Sequence, residues 1–219
     1  MDFLAQAAAQ KSYFEILIYP GAGGIGLLLW ILSIVLLAVI IQNVLAVRRT
    51  NVLPLLSHQR IRECLDAKQY REAIEMTQGL PDYLSYIMHA ALVEAPYGYV
   101  AMERAMTEAA EERTAKMLRY AEWLNLIGNI GPMLGLLGTV WGLIKVFFEI
   151  VRLGGIPDPS KLADGIGTKL VCTLLGLCVA IPALGVYGAM RNRIDTLTAE
   201  AQATGREMLA IFRPAKKVA

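Results

Sequence analysis

The chain has 219 residues, of which 56% are hydrophobic and 18% charged, with a mean hydropathy of +0.47. Soluble domains carry about 45–50% apolar and about 25% charged residues, so this balance points into a membrane. A net charge of +2 with no basic run, and three cysteines without zinc-type spacing, exclude a nucleic-acid binder and a metal- or disulfide-built scaffold.

Residues 1–20 begin "MDFLAQAAAQ", acidic rather than basic, with small residues before the apolar run instead of after it. That order argues against a cleaved signal peptide and for a short interfacial helix, with Phe3, Leu4, Phe14 and Ile18 on its apolar side. "PGAGG" breaks the chain before residues 24–47, an uncharged run longer than the roughly 20 residues that cross a bilayer.

Residues 48–122 read as a helical domain on the cytoplasmic side. In "SHQRIRECLDAKQYREAIEMTQG" the residues Ile61, Leu65, Tyr70 and Ile74 recur at mixed helical spacing, and Gly79-Leu80-Pro81 ends the run. Met102, Ala105, Met106 and Ala109 line one stripe of the next helix, which meets no breaker before Trp123 and runs on into a second span at 123–150. A short Gly- and Pro-rich loop at 151–162 leads to a third span at 163–190. Residues 191–219 extend that helix and tail away, with Gly205 as its weak point. The expected class is an all-α polytopic membrane protein with three transmembrane helices, two of them extended into the cytoplasm. Arg48, Arg49, Arg113, Lys116, Arg119, Arg191 and Arg193 set the orientation: N-terminus periplasmic, loop 151–162 outside, C-terminus cytoplasmic.

The second span departs from a plain apolar helix. Gly128, Gly131, Gly135, Gly138 and Gly142 alternate at three- and four-residue spacing and share one narrow stripe. Small residues let helices approach closely in lipid, where no hydrophobic force draws them together. Gly176 belongs to a looser stripe on the third span. Pro132 and Pro182 each remove a backbone hydrogen bond and are expected kink positions.

Thr139 and Thr173 lie near the middles of two antiparallel spans and can reach similar depth. A lone threonine bonds back to its own helix; two at one depth suggest a shared polar surface. Lys169, four residues from Thr173, shares its face and is a candidate ion-pathway position. Lys145 is expected to snorkel or to pair with Glu149 or Asp164. No Asp, Glu or His lies near the middle of any span, so a proton path would need a carboxylate from another polypeptide. No catalytic constellation, metal ligand set or cofactor motif is legible, so no enzyme is expected.

"GPMLGLLGTVWGLIKVFFEI" followed by "ADGIGTKLVCTLLGLCVAIPALGVY" resembles the signature of the ExbB/TolQ/MotA family of proton-driven motor (stator) subunits, and is most similar to its three-span ExbB/TolQ branch. The resemblance implies a homopentameric ring in the bacterial inner membrane. Such a ring encloses the helices of a dimeric, single-span ExbD/TolR-like partner bearing an essential aspartate. It further implies that Thr139 and Thr173 face that aspartate, and that the energy serves TonB-type import or envelope maintenance through a TonB- or TolA-like protein. One position departs from the pattern: in "DGIGTKL" Thr168 stands where the family commonly carries a glutamate, which adds Thr168 to the pathway candidates. A non-conducting membrane scaffold of the same fold is the alternative expectation.

Overall fold

The structure, a computed structural model, describes residues 24–154 and 159–213. The interfacial helix expected at 1–20 and residues 155–158 of the expected loop lie outside the described residues. Every regular element among them is helical: α1 (Gly24–Ala46), α2 (Arg49–Val52), α3 (Leu55–Asp66), α4 (Tyr70–Gln78), α5 (Tyr83–Val93), α6 (Tyr99–Leu153) and α7 (Pro159–Leu209), with 3₁₀ turns at Ala95–Tyr97 and Ala210–Phe212. Three of them, α1, α6 and α7, contain stretches long and apolar enough to cross a membrane. Pro132 and Pro182 sit inside α6 and α7, which continue through them as single elements.

The contacts divide into two compact units. The first takes the described part of Met1–Ile40 together with Trp123–Tyr187. Its core sets Leu36 of α1 against Leu124 and Ile127 of α6 and Val179 and Ala183 of α7. Nearby, Leu29 packs on Cys172. The other faces carry exposed apolar side chains, Leu27, Ile31, Ile34, Leu37, Leu136 and Phe148 among them. A water-soluble protein does not leave so much apolar surface uncovered, whereas in lipid such a surface costs nothing.

The second unit takes Ile41–Glu122 with Gly188–Ala219. Its centre is α5, on which Tyr83, Leu84, Ser85, Ile87, Met88, Ala91 and Leu92 are all buried. The Asp82 carboxylate starts this helix by accepting from the Ser85 backbone N–H at 3.0 Å, a side-chain N-cap. The stripe on α6 turns Met102 and Met106 inward. α7 runs on through Gly205 to Leu209, and a methyl group at 205 would stand 3.0 Å from the Met106 sulfur, so the missing side chain makes room for the core.

The periodic stretch at 57–79 is two helices, not one. Lys68 adopts φ 59° between α3 and α4. Gln69 N–H donates to Cys64 O at 2.9 Å and Lys68 N–H to Leu65 O at 3.1 Å, the paired bonds of a Schellman cap. That cap normally uses glycine, and a lysine there leaves no breaker to read in the sequence. In α4 the buried side chains are consequently Ala73 and Thr77, while Ile74 and Tyr70 are half-buried.

Tyr83 ties three helices of this unit together. Its hydroxyl donates to Ala110 O at 3.1 Å, lies 2.9 Å from Thr114 Oγ1, and accepts from Gln202 Nε2 at 3.3 Å. Removing one buried partner strands the others, which costs about 1–3 kcal/mol. Tyr83→Phe is therefore expected to lower the unfolding free energy by about that amount in a denaturant titration in detergent. A Tyr83→Phe protein as stable as the parent would show that the hub contributes nothing.

Candidate functional site

The glycines of α6 meet α7 along a single seam. Gly128, Gly131, Gly135, Gly138 and Gly142 are all buried. A methyl group on Gly131 would stand 3.0 Å from Gly176 O, and one on Gly135 would stand 2.8 Å from Cys172 O and 3.0 Å from Thr173 Cα. From the other side, a methyl group on Gly176 would stand 2.6 Å from Gly131 O. Backbone here faces backbone. Going up α6 the partners descend α7, from Leu184 opposite Gly128 to Lys169 opposite Gly142, so the two helices run antiparallel. Gly138 also takes Ile25 of α1 into the seam, where a methyl group would stand 3.2 Å from Ile25 Cγ2.

This close approach brings the two mid-span threonines together. Thr139 Oγ1 and Thr173 Oγ1 are 3.2 Å apart, Thr139 buried and Thr173 half-buried. Thr139 also donates back to its own helix, with Leu136 O at 2.7 Å and Gly135 O at 3.3 Å. Thr173 Oγ1 lies 3.3 Å from the same Gly135 carbonyl, across the seam. A hydroxyl has one proton and two lone pairs. With the Thr139 proton committed to Leu136 O at the shortest distance, Thr139 Oγ1 accepts, and the Thr173 proton goes to it or to Gly135 O. The lone pairs of Thr173 then remain as acceptors on the half-buried side of the pair. Rotation of that one hydroxyl converts the acceptor into a donor without moving either helix. The pair can therefore meet a protonated or an ionised acid while adding no charge of its own.

The lysines behave differently from one another. The stem of Lys169 lies across Gly142, close enough that any side chain at 142 would collide with it. Lys145 Nζ sits 5.6 Å from the centre of the Trp141 ring, a cation–π contact. Glu149, one of its expected partners, is bonded by Arg152 at 2.7 and 3.1 Å. Thr168 lies on α7, but its side chain falls outside the described residues, as does that of Asp164.

Two polar residues outside the expected set also belong to α6. Asn129 Nδ2 donates to Asn125 Oδ1 at 2.9 Å and to Asn125 O at 2.8 Å, on an exposed part of the helix. An Asn pair four residues apart inside an apolar run is a signal the sequence does carry. Of the cysteines, Cys172 is buried in the seam. Burial, then the Glu72 and Glu63 carboxylates, push the Cys64 thiol above its ordinary value, which makes it a poor nucleophile near neutral pH.

Fold and site together define a multi-pass α-helical membrane protein whose last two spans close on a glycine seam and hold a paired hydroxyl within it. The family model described as the MotA/TolQ/ExbB proton channel family matches residues 81–203, more than half of the chain, and the chain belongs to that family. It is 49% identical over 61 residues to the biopolymer transport protein exbB1 of Vibrio cholerae serotype O1, covering 28% of this chain and 27% of that protein. It is 36% identical over 93 residues to the biopolymer transport protein ExbB of Salmonella typhimurium, covering 41% and 38%. With the Tol-Pal system protein TolQ of Haemophilus influenzae it shares 30% over 96 residues, covering 43% and 41%. The matched stretch spans less than half the length of each of these relatives.

Proposed function

We propose that this chain is the ring-forming subunit of a motor driven by the proton-motive force in the bacterial inner membrane. Several copies, five by the family resemblance, enclose the transmembrane helices of a dimeric ExbD/TolR-like partner, and the complex drives an envelope process such as TonB-type import or envelope maintenance. The chain is a transducer rather than an enzyme, with its N-terminus periplasmic and its C-terminus cytoplasmic. Thr139 and Thr173 serve the ion pathway, with Lys169 and Thr168 further along α7 from Thr173.

The Thr139–Thr173 contact carries this reading. It supplies a neutral hydrogen-bonding spot at mid-span, in a chain whose spans lack an acid of their own near that depth. A carboxyl group on a second polypeptide would find there an acceptor when protonated and a donor when ionised. Both forms are accommodated at little cost, so the acid could exchange its proton with either side of the membrane. The family to which the chain belongs supports proton passage as the transported charge.

The test is proton uptake into vesicles holding this chain with an ExbD/TolR-type partner, compared with the same partner carrying Asp→Asn in its span. Uptake that vanishes with the aspartate is the expected result, together with several copies of this chain per complex by native mass spectrometry. Uptake indifferent to that aspartate, or none at all from an assembled complex, would overturn the reading in favour of a non-conducting scaffold.

A further inference from the structure

In the second unit a cleft of about 300 Å³ opens beside the end of α1, walled in part by Asn43, Asn51, Arg113, Lys116, Met117 and Tyr120. Its depth in a bilayer follows from the chain on either side. The run 24–47 carries no charge and is followed at once by Arg48 and Arg49. On α6 the charged stretch ends at Glu122, and the apolar stretch begins at Trp123. Asn43 Nδ2 donates to Tyr120 O at 3.4 Å, so the two transitions flank this contact, Arg48 about 7 Å to its cytoplasmic side and Trp123 about 4 Å to its membrane side at 1.5 Å per residue. The zone between them is the depth of phospholipid headgroups.

Among the described residues the cleft wall holds two cations and no carboxylate. Arg113 uses one N–H on Pro81 O at 2.9 Å and lies with its guanidinium 5.2 Å from the Tyr86 ring centre, which steadies the remaining donors of its fork. Lys116 gives one proton to Glu112 at 2.6 Å and has two more to offer. Glu112 is bonded by Tyr86 as well, at 3.1 Å. Beside the cleft Val44 on α1 is exposed and apolar, and on its wall the ring of Tyr120 is exposed as well. Cationic donors at headgroup depth, next to bare hydrocarbon-facing side chains, fit a molecule that is anionic at one end and apolar at the other.

We propose that this cleft binds the phosphate of an anionic phospholipid, with Arg113 and Lys116 as its ligands and the acyl chains leaving past Val44 and Tyr120. The same phosphate chemistry could come from a soluble phosphate ester, but exposed Val44 and Tyr120 at the cleft and its place beside the uncharged run of α1 favour the lipid. The inference does not depend on the motor reading; it needs only that α1 and α6 enter the bilayer at this level.

The experiment uses the full chain, delipidated in detergent. It is titrated with phosphatidylglycerol, with phosphatidylcholine of the same acyl chains, and with glycerol phosphate, and bound ligand is counted by native mass spectrometry. Phosphatidylglycerol is expected to be retained over phosphatidylcholine. Lys116→Gln and Arg113→Gln are each expected to weaken that retention about fivefold, the weight of one basic residue at an anionic membrane surface. Lys116→Arg, which keeps the charge, and Arg104→Gln, which lies outside the cleft, should leave it unchanged. Equal retention of the two lipids by the parent protein, a measurement independent of any variant's folding, overturns the proposal. So does full phosphatidylglycerol retention by Lys116→Gln and Arg113→Gln. Glycerol phosphate binding as tightly as the lipid would reassign the cleft to a soluble ester and equally defeat it.

Discussion

Thr139→Val is expected to cut partner-dependent proton flux about ten- to a hundredfold while leaving the number of copies in the complex unchanged. Valine keeps the shape of threonine and removes the hydroxyl. The seam therefore stays packed, and the Gly135 and Leu136 carbonyls keep their helical bonds. What disappears is the acceptor at 3.2 Å for Thr173 and the neutral spot that the two share. A hydrogen bond to a charged group contributes about 1.5–3 kcal/mol, which corresponds to that range of rates. Thr173→Val should act in the same direction, because Thr173 carries the lone pairs on the half-buried side of the pair. Thr139→Ser is the informative partner variant: it restores the hydroxyl and should restore most of the flux. If both valine variants pumped at the parent rate, the threonine pair would have no part in conduction.

Gly135→Ala and Gly176→Ala are expected to destabilise the first unit by about 1–3 kcal/mol each, the usual cost of overpacking. The obstacle is backbone in both cases: Cys172 O at 2.8 Å from the new methyl group at 135, and Gly131 O at 2.6 Å from the one at 176. A side chain could swing away; a carbonyl inside a helix cannot. The helices would have to part, and the threonine hydroxyls would part with them, so flux should fall along with thermal stability. Gly185→Ala supplies the contrast. Nothing lies within 4 Å of a methyl group there. Alanine is the better helix former by about 1 kcal/mol, so that variant should melt no lower than the parent. Equal melting temperatures for Gly135→Ala and Gly185→Ala would mean that the seam is not held by backbone approach.

Arg113 and Lys116 illustrate how one residue serves two readings. In the sequence they report orientation, as basic residues flanking a span. In the structure they stand on the wall of a cleft, Arg113 held by Pro81 O and Lys116 by Glu112. The hydrogen bonds from Lys116 and then from Tyr86 hold the Glu112 carboxyl below the usual carboxylate range. A depressed carboxylate stabilises the fold above its unfolded value and loses that contribution as pH falls through the folded one. The pair is exposed, so the loss on acidification is small.

The sequence alone determined the membrane class, the three long apolar stretches and the single stripe of five glycines. Length without charge and a three-four spacing are properties of a chain that needs no partner to be read. It also showed that no acid sits at mid-span, since an ionisable group in lipid must be written in the residues themselves. The tertiary structure decided what each stripe faces. Only the fold could show that Gly135 meets the backbone of Cys172 and Thr173, that the Lys169 stem lies across Gly142, or that the two hydroxyls are in bonding distance. Periodicity gives the direction a side chain points, whereas a contact depends on the separation and register of two helices, and both of those are set by every residue along the seam. The same limit hid the break at Lys68, where a left-handed lysine does the work of a glycine. It also hid the role of Gly205, which as a sequence signal weakens a helix and in the folded unit makes room for Met106.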